Sequence, residues 1–261
     1  TDLTPLGYHF APDPSSQQVC TIGGNVGNNS GGPHCLAYGV TNAHILAIEV
    51  VLADGEIITL GGLDAEPSGY DLRGVFIGGE GMLGITTKVA VRITPNPPSV
   101  RTLLLSFDTP RDAAATVSAV IAAGIVPAAM EVMDQGITIA VENYVNVGYP
   151  RDAGAVLLAE VDGLPDGVDI DAQRISDIGR QHGATDVRQA ASDEERMLLW
   201  KGRKTAFGAV AQIAPNYYLH DTVVPRSKLA DTLEEVYRIA DEHDLAVVNV
   251  FHAGDGNLHP L

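Results

Sequence analysis

The chain has 261 residues, enough for one large domain or two ordinary ones around a sizeable core. With 45% hydrophobic and 19% charged residues it has the make-up of a folded globular protein, not a disordered one. A formal charge of −17 argues against nucleic acid as a partner and against electrostatic docking on anionic lipid. No stretch is apolar enough for a transmembrane segment. The two cysteines, Cys20 and Cys35, make no disulfide framework, so a reducing, cytoplasmic setting is expected.

Residues 8–20 are rich in turn formers, with Pro12 and Pro14 around Asp13, then Ser15 and Ser16. They lead into residues 21–32, T-I-G-G-N-V-G-N-N-S-G-G. This composition predicts an irregular loop with no helix or buried strand. Glycine lets the backbone approach another group closely, and free N–H groups in such turns form anion-binding concavities. The stretch therefore reads as a backbone-lined cradle for a phosphate-bearing cofactor, with a flexible linker as the alternative. Residues 45–53, Asp54-Gly55 and residues 56–60 predict a hairpin with a two-residue turn. A second glycine cluster, G-G-E-G-M-L-G at 78–84, runs into a strand over 87–94. Alone it is a weak signal. Two glycine-dense loops that each adjoin a strand suit one extended cofactor threaded between them.

Pro95-Asn96-Pro97-Pro98 predicts an extended domain boundary. Beyond it, strands alternate with amphipathic helices. Strands are expected at 101–107, 155–161, 217–224 and 245–251. Helices are expected from Pro110 to about Gly124, over 168–182, from a Ser192 capping box through Trp200, and from Pro225. The pattern suits an α+β sandwich better than a parallel sheet.

Three groups of side chains could carry chemistry. His252 and His259 flank A-G-D-G-N-L, and a strand turning through such a loop can bring both imidazoles to one end of a sheet. They are candidate metal ligands, with satisfied turn residues as the alternative. Trp200-Lys201-Gly202-Arg203-Lys204 is a cationic group in an acidic chain. A guanidinium is the usual bidentate clamp for a carboxylate, and a solvated helix face is the alternative. His220 reads as a site or a surface residue. The cysteines read as small packing residues.

Together, D-P-S-S-x-x-x-C-T-I-G-G-N-V-x-x-N-S-G-G, G-G-E-G-M-L-G-I-T-T, W-x-G-R-K and N-V-F-H-A-G-D-G-N-L-H-P resemble the FAD-linked oxidases of the vanillyl-alcohol oxidase superfamily, whose FAD-binding domain is of PCMH type. The likeness is greatest to the branch that holds glycolate oxidase flavin subunits and D-lactate dehydrogenases. It implies an α+β fold in which residues 1–98 are the second part of the FAD-binding domain. Residues 99–261 would be most of a substrate (cap) domain, an antiparallel sheet with helices on one face. It further implies a first FAD subdomain before Thr1 and an E-H-G motif after Leu261, so the chain reads as an internal segment of a longer protein.

By the same resemblance, Ser15, Ser16, Cys20, Thr21, Gly24, Asn25, Asn28, Asn29 and Gly31 match the first FAD-contacting stretch, and Glu80, Gly81, Gly84, Ile85 and Thr86 the second. His252 and His259 match ligands of a divalent metal (Zn, Mn or Fe), and Arg203 the arginine that holds the substrate carboxylate. The 2-hydroxyglutarate branch adds a threonine and a lysine for a second carboxylate. Those places hold Phe207 and about Leu219 here, which favours a short D-2-hydroxy acid such as glycolate or D-lactate. The implied reaction is oxidation to the 2-oxo acid with FAD as cofactor. The expected electron acceptors are partner oxidase subunits or a quinone-linked carrier, with attachment at the inner membrane through those subunits. Two rival readings are a metal-dependent hydrolase built on His252 and His259, and a non-catalytic binding segment.

Overall fold

A computed structural model describes residues 3–63 and 69–261. The chain parts at the Asn96–Pro97 bond into two units, Thr1–Asn96 and Pro97–Leu261.

The first unit runs β1 (Tyr8–His9), α1 (Ile22–Asn28), α2 (Cys35–Tyr38), β2 (Ile45–Val51), β3 (Ile57–Gly61), α3 (Leu72–Phe76), β4 (Ile85–Val91) and β5 (Thr94–Pro95). Strands β3, β2 and β4 form an antiparallel sheet in that order, and β1 pairs with β5. The core joins Ile45, Ile48 and Val50 of β2 to Val26 and Ile77. The β2–β3 connection corrects the expected two-residue turn. Gly55 N–H donates to Leu52 O at 3.0 Å and Leu52 N–H to Glu56 O at 2.9 Å. Gly55 takes the left-handed region at φ +88°, so the loop is a three-residue turn closed by a glycine bulge.

The glycine-rich stretch brings a second correction, because it contains helix α1. The Thr21 hydroxyl accepts from Gly24 N–H at the N-cap. Asn29 ends the helix in the left-handed region, with its N–H reaching Asn25 O and Val26 O. Val26 is buried in the core. Two caps and one apolar anchor outweigh a propensity penalty of about 1 kcal/mol per glycine.

The second unit runs β6 (Ser99–Phe107), α4 (Pro110–Ala122), β7 (Ala129–Asp134), α5 (Gln135–Tyr144), β8 (Ala155–Gly163), α6 (Pro165–Gln181), β9 (Ala184–Gln189), α7 (Asp193–Val210), β10 (Thr222–Val223), α8 (Leu229–Glu242), β11 (Val250–His252) and β12 (Asn257–Leu258). The strands form one antiparallel seven-stranded sheet in the order β10-β12-β11-β7-β8-β6-β9. Helices cover both of its faces, not one. Leu104 joins a buried cluster with Ile137 of α5 and Leu199 and Trp200 of α7. Its neighbour Leu105, on the opposite face, lies so close to α6 that a Cβ on Gly179 would meet it. That is why β6, β7 and β8 are apolar runs without clear alternation.

Strands β7 and β9 and helix α5 were not anticipated from sequence. Helix α7 runs ten residues past Trp200 to Val210, while the strands expected at 217–224 and 245–251 shrink to β10 and β11. The Ser192 cap forms as expected: its hydroxyl accepts from Glu195 N–H, and the Glu195 carboxylate accepts from Ala191 N–H at 2.7 Å.

Candidate functional site

The chemistry of the second unit gathers where α7 crosses the sheet. Trp200 and Arg203 lie three apart on α7, hence on one face, and each meets a glutamate from the sheet. Trp200 Nε1–H donates to Glu160 of β8 at 2.5 Å. Arg203 donates from Nε to Glu131 Oε2 of β7 at 2.7 Å, with Nη2 at 2.5 Å from the same oxygen. Arg203 and Glu131 are both fully buried. Gly202 lets α7 lie against residues 147–149, since a Cβ there would stand 2.7 Å from the Tyr149 ring and Val147. The guanidinium is thus no solvated face. The edge that would form a bidentate clamp is occupied by Glu131, and Nη1 remains buried without a partner.

His252 is the cross-strand neighbour of Glu131 in the β11–β7 register. Its Nδ1 lies 2.8 and 2.9 Å from the two Glu131 oxygens and 3.5 Å from Arg203 Nη2. A carboxylate offers only acceptors, so Nδ1 carries the proton and Nε2 is the nitrogen with a free lone pair. After His252 the chain turns through Ala253–Asp255 and Gly256 into β12. Gly256 has φ +73°, and a Cβ there would lie 2.3 Å from Val224 O, so no other residue fits the turn. The turn brings His259 back beside His252, the rings perpendicular with centroids 5.1 Å apart. Phe207, one helical turn beyond Arg203, packs edge-to-face with the His259 ring, centroids 5.8 Å apart. Burial, and then the neighbouring His252, lower the His259 pKa to about 4 against the pull of Asp221, so this ring is neutral at pH 7. Its Nδ1 is buried and lacks a hydrogen bond; Asp221 stands at 3.7 Å, too far for one.

Sequence reasoning named Arg203, His252 and His259 but missed Glu131 and Glu160. The signal was a single acid inside each of two apolar runs, A-A-M-E-V-M and L-L-A-E-V; a buried acid in a strand calls for a partner. His220 is exposed and packs at a tilt against Tyr218, so it belongs to the surface. Two imidazoles alone make no metal site, and among the described residues no group of three or more His, Cys, Asp or Glu could hold a metal ion.

In the first unit the two glycine-rich stretches adjoin. Gly78 N–H donates to Val26 O and Glu80 N–H to Gly27 O, both at 2.9 Å. Thr21, Gly23 and Gly24 at the start of α1 are exposed, as are Ser16, Asn28, Glu80, Gly81 and Ile85; Ser15, Cys20 and Thr86 are half-buried. The first N–H groups of α1 have no acceptor within the helix, and a Cβ on Gly23 would meet only Thr21 Oγ1, at 3.9 Å. Neutral N–H donors on an open backbone fit the phosphates and ring edges of a dinucleotide such as FAD. Other residues of these stretches have internal work. Asn25 is buried, Asn29 Oδ1 accepts from Asn42 N–H at 2.8 Å, and side chains at Gly31 and Gly84 would collide with Cys35 and Val50. Cys35 Sγ accepts from Gly32 N–H at 3.0 Å, a packing role. Among the described residues no helix is long and apolar enough to cross a membrane.

Comparison with known proteins fits these features. Residues 96–261 match the C-terminal domain of FAD linked oxidases and residues 2–61 an FAD binding domain. The chain is 49% identical to glycolate oxidase subunit GlcD of Escherichia coli over 99% of its own length and 52% of that protein. It is 43% identical to the Bacillus subtilis GlcD over 97% and 54%, and 33% identical to D-lactate dehydrogenase of Anaerostipes hadrus over 99% and 56%. It therefore spans about half the length of these relatives. Among solved structures, p-cresol methylhydroxylase superposes with a TM-score of 0.76 at 14% identity, covering 99% of this chain and 58% of that one. Alkyldihydroxyacetonephosphate synthase gives 0.76 at 17%, covering 99% and 53%. These structures share the fold, and the sequence matches over most of the chain establish the family: the chain belongs to the FAD-linked oxidases.

Proposed function

We propose that the protein oxidises a short D-2-hydroxy acid, glycolate or D-lactate, to the 2-oxo acid. The observation that carries this reading is the Arg203 cluster, a buried guanidinium with one unpartnered nitrogen beside two imidazoles. Bound FAD supplies the acceptor for the two electrons and the C2 hydrogen. Residues 1–98 hold it, with Thr21, Gly24 and Asn28 at the first stretch and Glu80, Gly81, Ile85 and Thr86 at the second; residues 99–261 serve the substrate.

Arg203 Nη1 anchors the substrate carboxylate, an end-on contact because the other edge is committed to Glu131. An imidazole accepts the proton of the 2-hydroxyl as C2 becomes a carbonyl. His252 Nε2 has the free lone pair for this proton or for a metal ion, one role excluding the other. Phe207 puts an apolar ring one turn beyond Arg203, where a second substrate carboxylate would find no partner, and this favours a monocarboxylate. His252 and His259 would contribute two ligands to a Zn, Mn or Fe ion, and the site needs at least one more; no step here depends on that ion. Relatives named as subunits of glycolate oxidase support partner subunits as the electron acceptors.

The test uses the full-length protein with D-lactate and with the corresponding diol, (R)-1,2-propanediol. The expected result is oxidation of the acid and a loss of about 100-fold or more in kcat/KM for the diol, the order for an unmet buried polar partner. Equal rates on both would refute the carboxylate anchor.

A further inference from the structure

We propose that Glu131 is a positioning residue, one carboxylate that sets both the tautomer of His252 and the presented edge of Arg203. The inference rests on the proposed oxidation of a 2-hydroxy acid at the same site. Glu131 projects from the middle of the sheet with no exposure. Oε2 receives Arg203 Nε at 2.7 Å and Nη2 at 2.5 Å. Both oxygens lie within 2.9 Å of His252 Nδ1. Because a carboxylate accepts and never donates when ionised, it admits only the Nδ1–H ring, which leaves Nε2 as the acceptor nitrogen. Because it fills the Nε/Nη2 edge, it turns Nη1 outward from the pair as the nitrogen without a partner. It also pairs the Arg203 guanidinium directly. The β11–β7 register places His252 directly opposite Glu131, so the arrangement is built into the sheet.

Glu131→Gln separates these roles. The amide oxygen can still accept from Arg203, while the NH₂ group faces His252 Nδ1 and favours the opposite, Nε2–H tautomer. In full-length protein freed of divalent metal with a chelator and labelled with ¹⁵N-histidine, the His252 ring should appear as Nδ1–H in the parent protein and as Nε2–H in Glu131→Gln. The kcat of the variant should fall by about 10²- to 10⁴-fold, the range for losing a correctly held base, with KM changed by no more than about threefold. Glu131→Asp keeps the acceptors and should restore the Nδ1–H ring and part of kcat. An Nε2–H ring in the parent protein would overturn the proposal, even if Glu131→Gln fails to fold. So would parent-like kcat and tautomer in folded Glu131→Gln. If the parent protein oxidises no 2-hydroxy acid, the functional reading fails separately, since the ring assignments still decide what Glu131 does.

Discussion

The glycine-rich stretches of the first unit and the Arg203 cluster of the second use polar groups in opposite ways. At the start of α1 the donors are backbone N–H groups at the surface, next to residues without side chains, and water can satisfy them. Around Arg203 the donors and acceptors are side chains of α7, β7 and β11, an ion pair and an imidazole fully or mostly withdrawn from water. An exposed backbone cradle tolerates small changes at little energetic expense. A buried ion pair does not, because removing one partner strands the other. The first region should therefore respond to substitution mainly in binding, and the second in both stability and turnover.

The sharpest way to break this contrast is Arg203→Met. It leaves the Glu131 carboxyl buried, with His252 as its remaining partner. We expect a stability loss of about 3–5 kcal/mol in urea denaturation and a fall in kcat/KM of about 10²- to 10³-fold. A variant as stable as the parent would show that the pair is far better solvated than its geometry indicates.

A second buried polar hub tests whether the same rule holds beyond the site. Asp134 caps α5 through Ile137 N–H and also accepts from Tyr237 Oη–H and Asn249 N–H. Burial pushes its carboxyl up to about 6, against those three donors. The folded state then holds the Asp134 proton more tightly than the unfolded chain does. Its contribution to stability is complete below the ordinary value of 3.8 and is lost as pH rises through about 6. Unfolding midpoints should fall over this interval, and Asp134→Asn should flatten that part of the profile. An unchanged profile in the variant would assign the effect elsewhere.

The smallest expected effect is on the exposed side of the comparison. Gly23→Ala places a methyl group in open space and improves helix propensity, so the protein should gain up to about 1 kcal/mol. If α1 lies against FAD, the same methyl should weaken FAD retention. Gly27→Ala also meets nothing within 4 Å and is the control for helix propensity alone. Equal FAD retention in both variants would remove the start of α1 from the cofactor site.

The two regions also differed in how far they could be read from sequence. The glycine stretches are contiguous, so their chemistry was visible, although glycine content hid a helix fixed by Thr21, Asn29 and one buried valine. In the second unit, Arg203, His252 and His259 stood out within short motifs. Glu131 did not, because its partners lie 72 and 121 residues away and meet it only through strand register and the packing of α7. The same tertiary pairing explains why the short strands β10 and β11 were drawn too long: Tyr217, Tyr218 and Leu219 look like strand but are exposed.

Oxidation of a short D-2-hydroxy acid is tested most directly by mixing the full-length protein, as purified with its FAD, with D-2-hydroxy acids in the absence of oxygen and following the visible absorbance of the flavin. Bleaching by glycolate or D-lactate is expected, with slower or no bleaching by D-2-hydroxyglutarate. A flavin that stays oxidised with both short acids, or protein that carries no flavin at all, would contradict it.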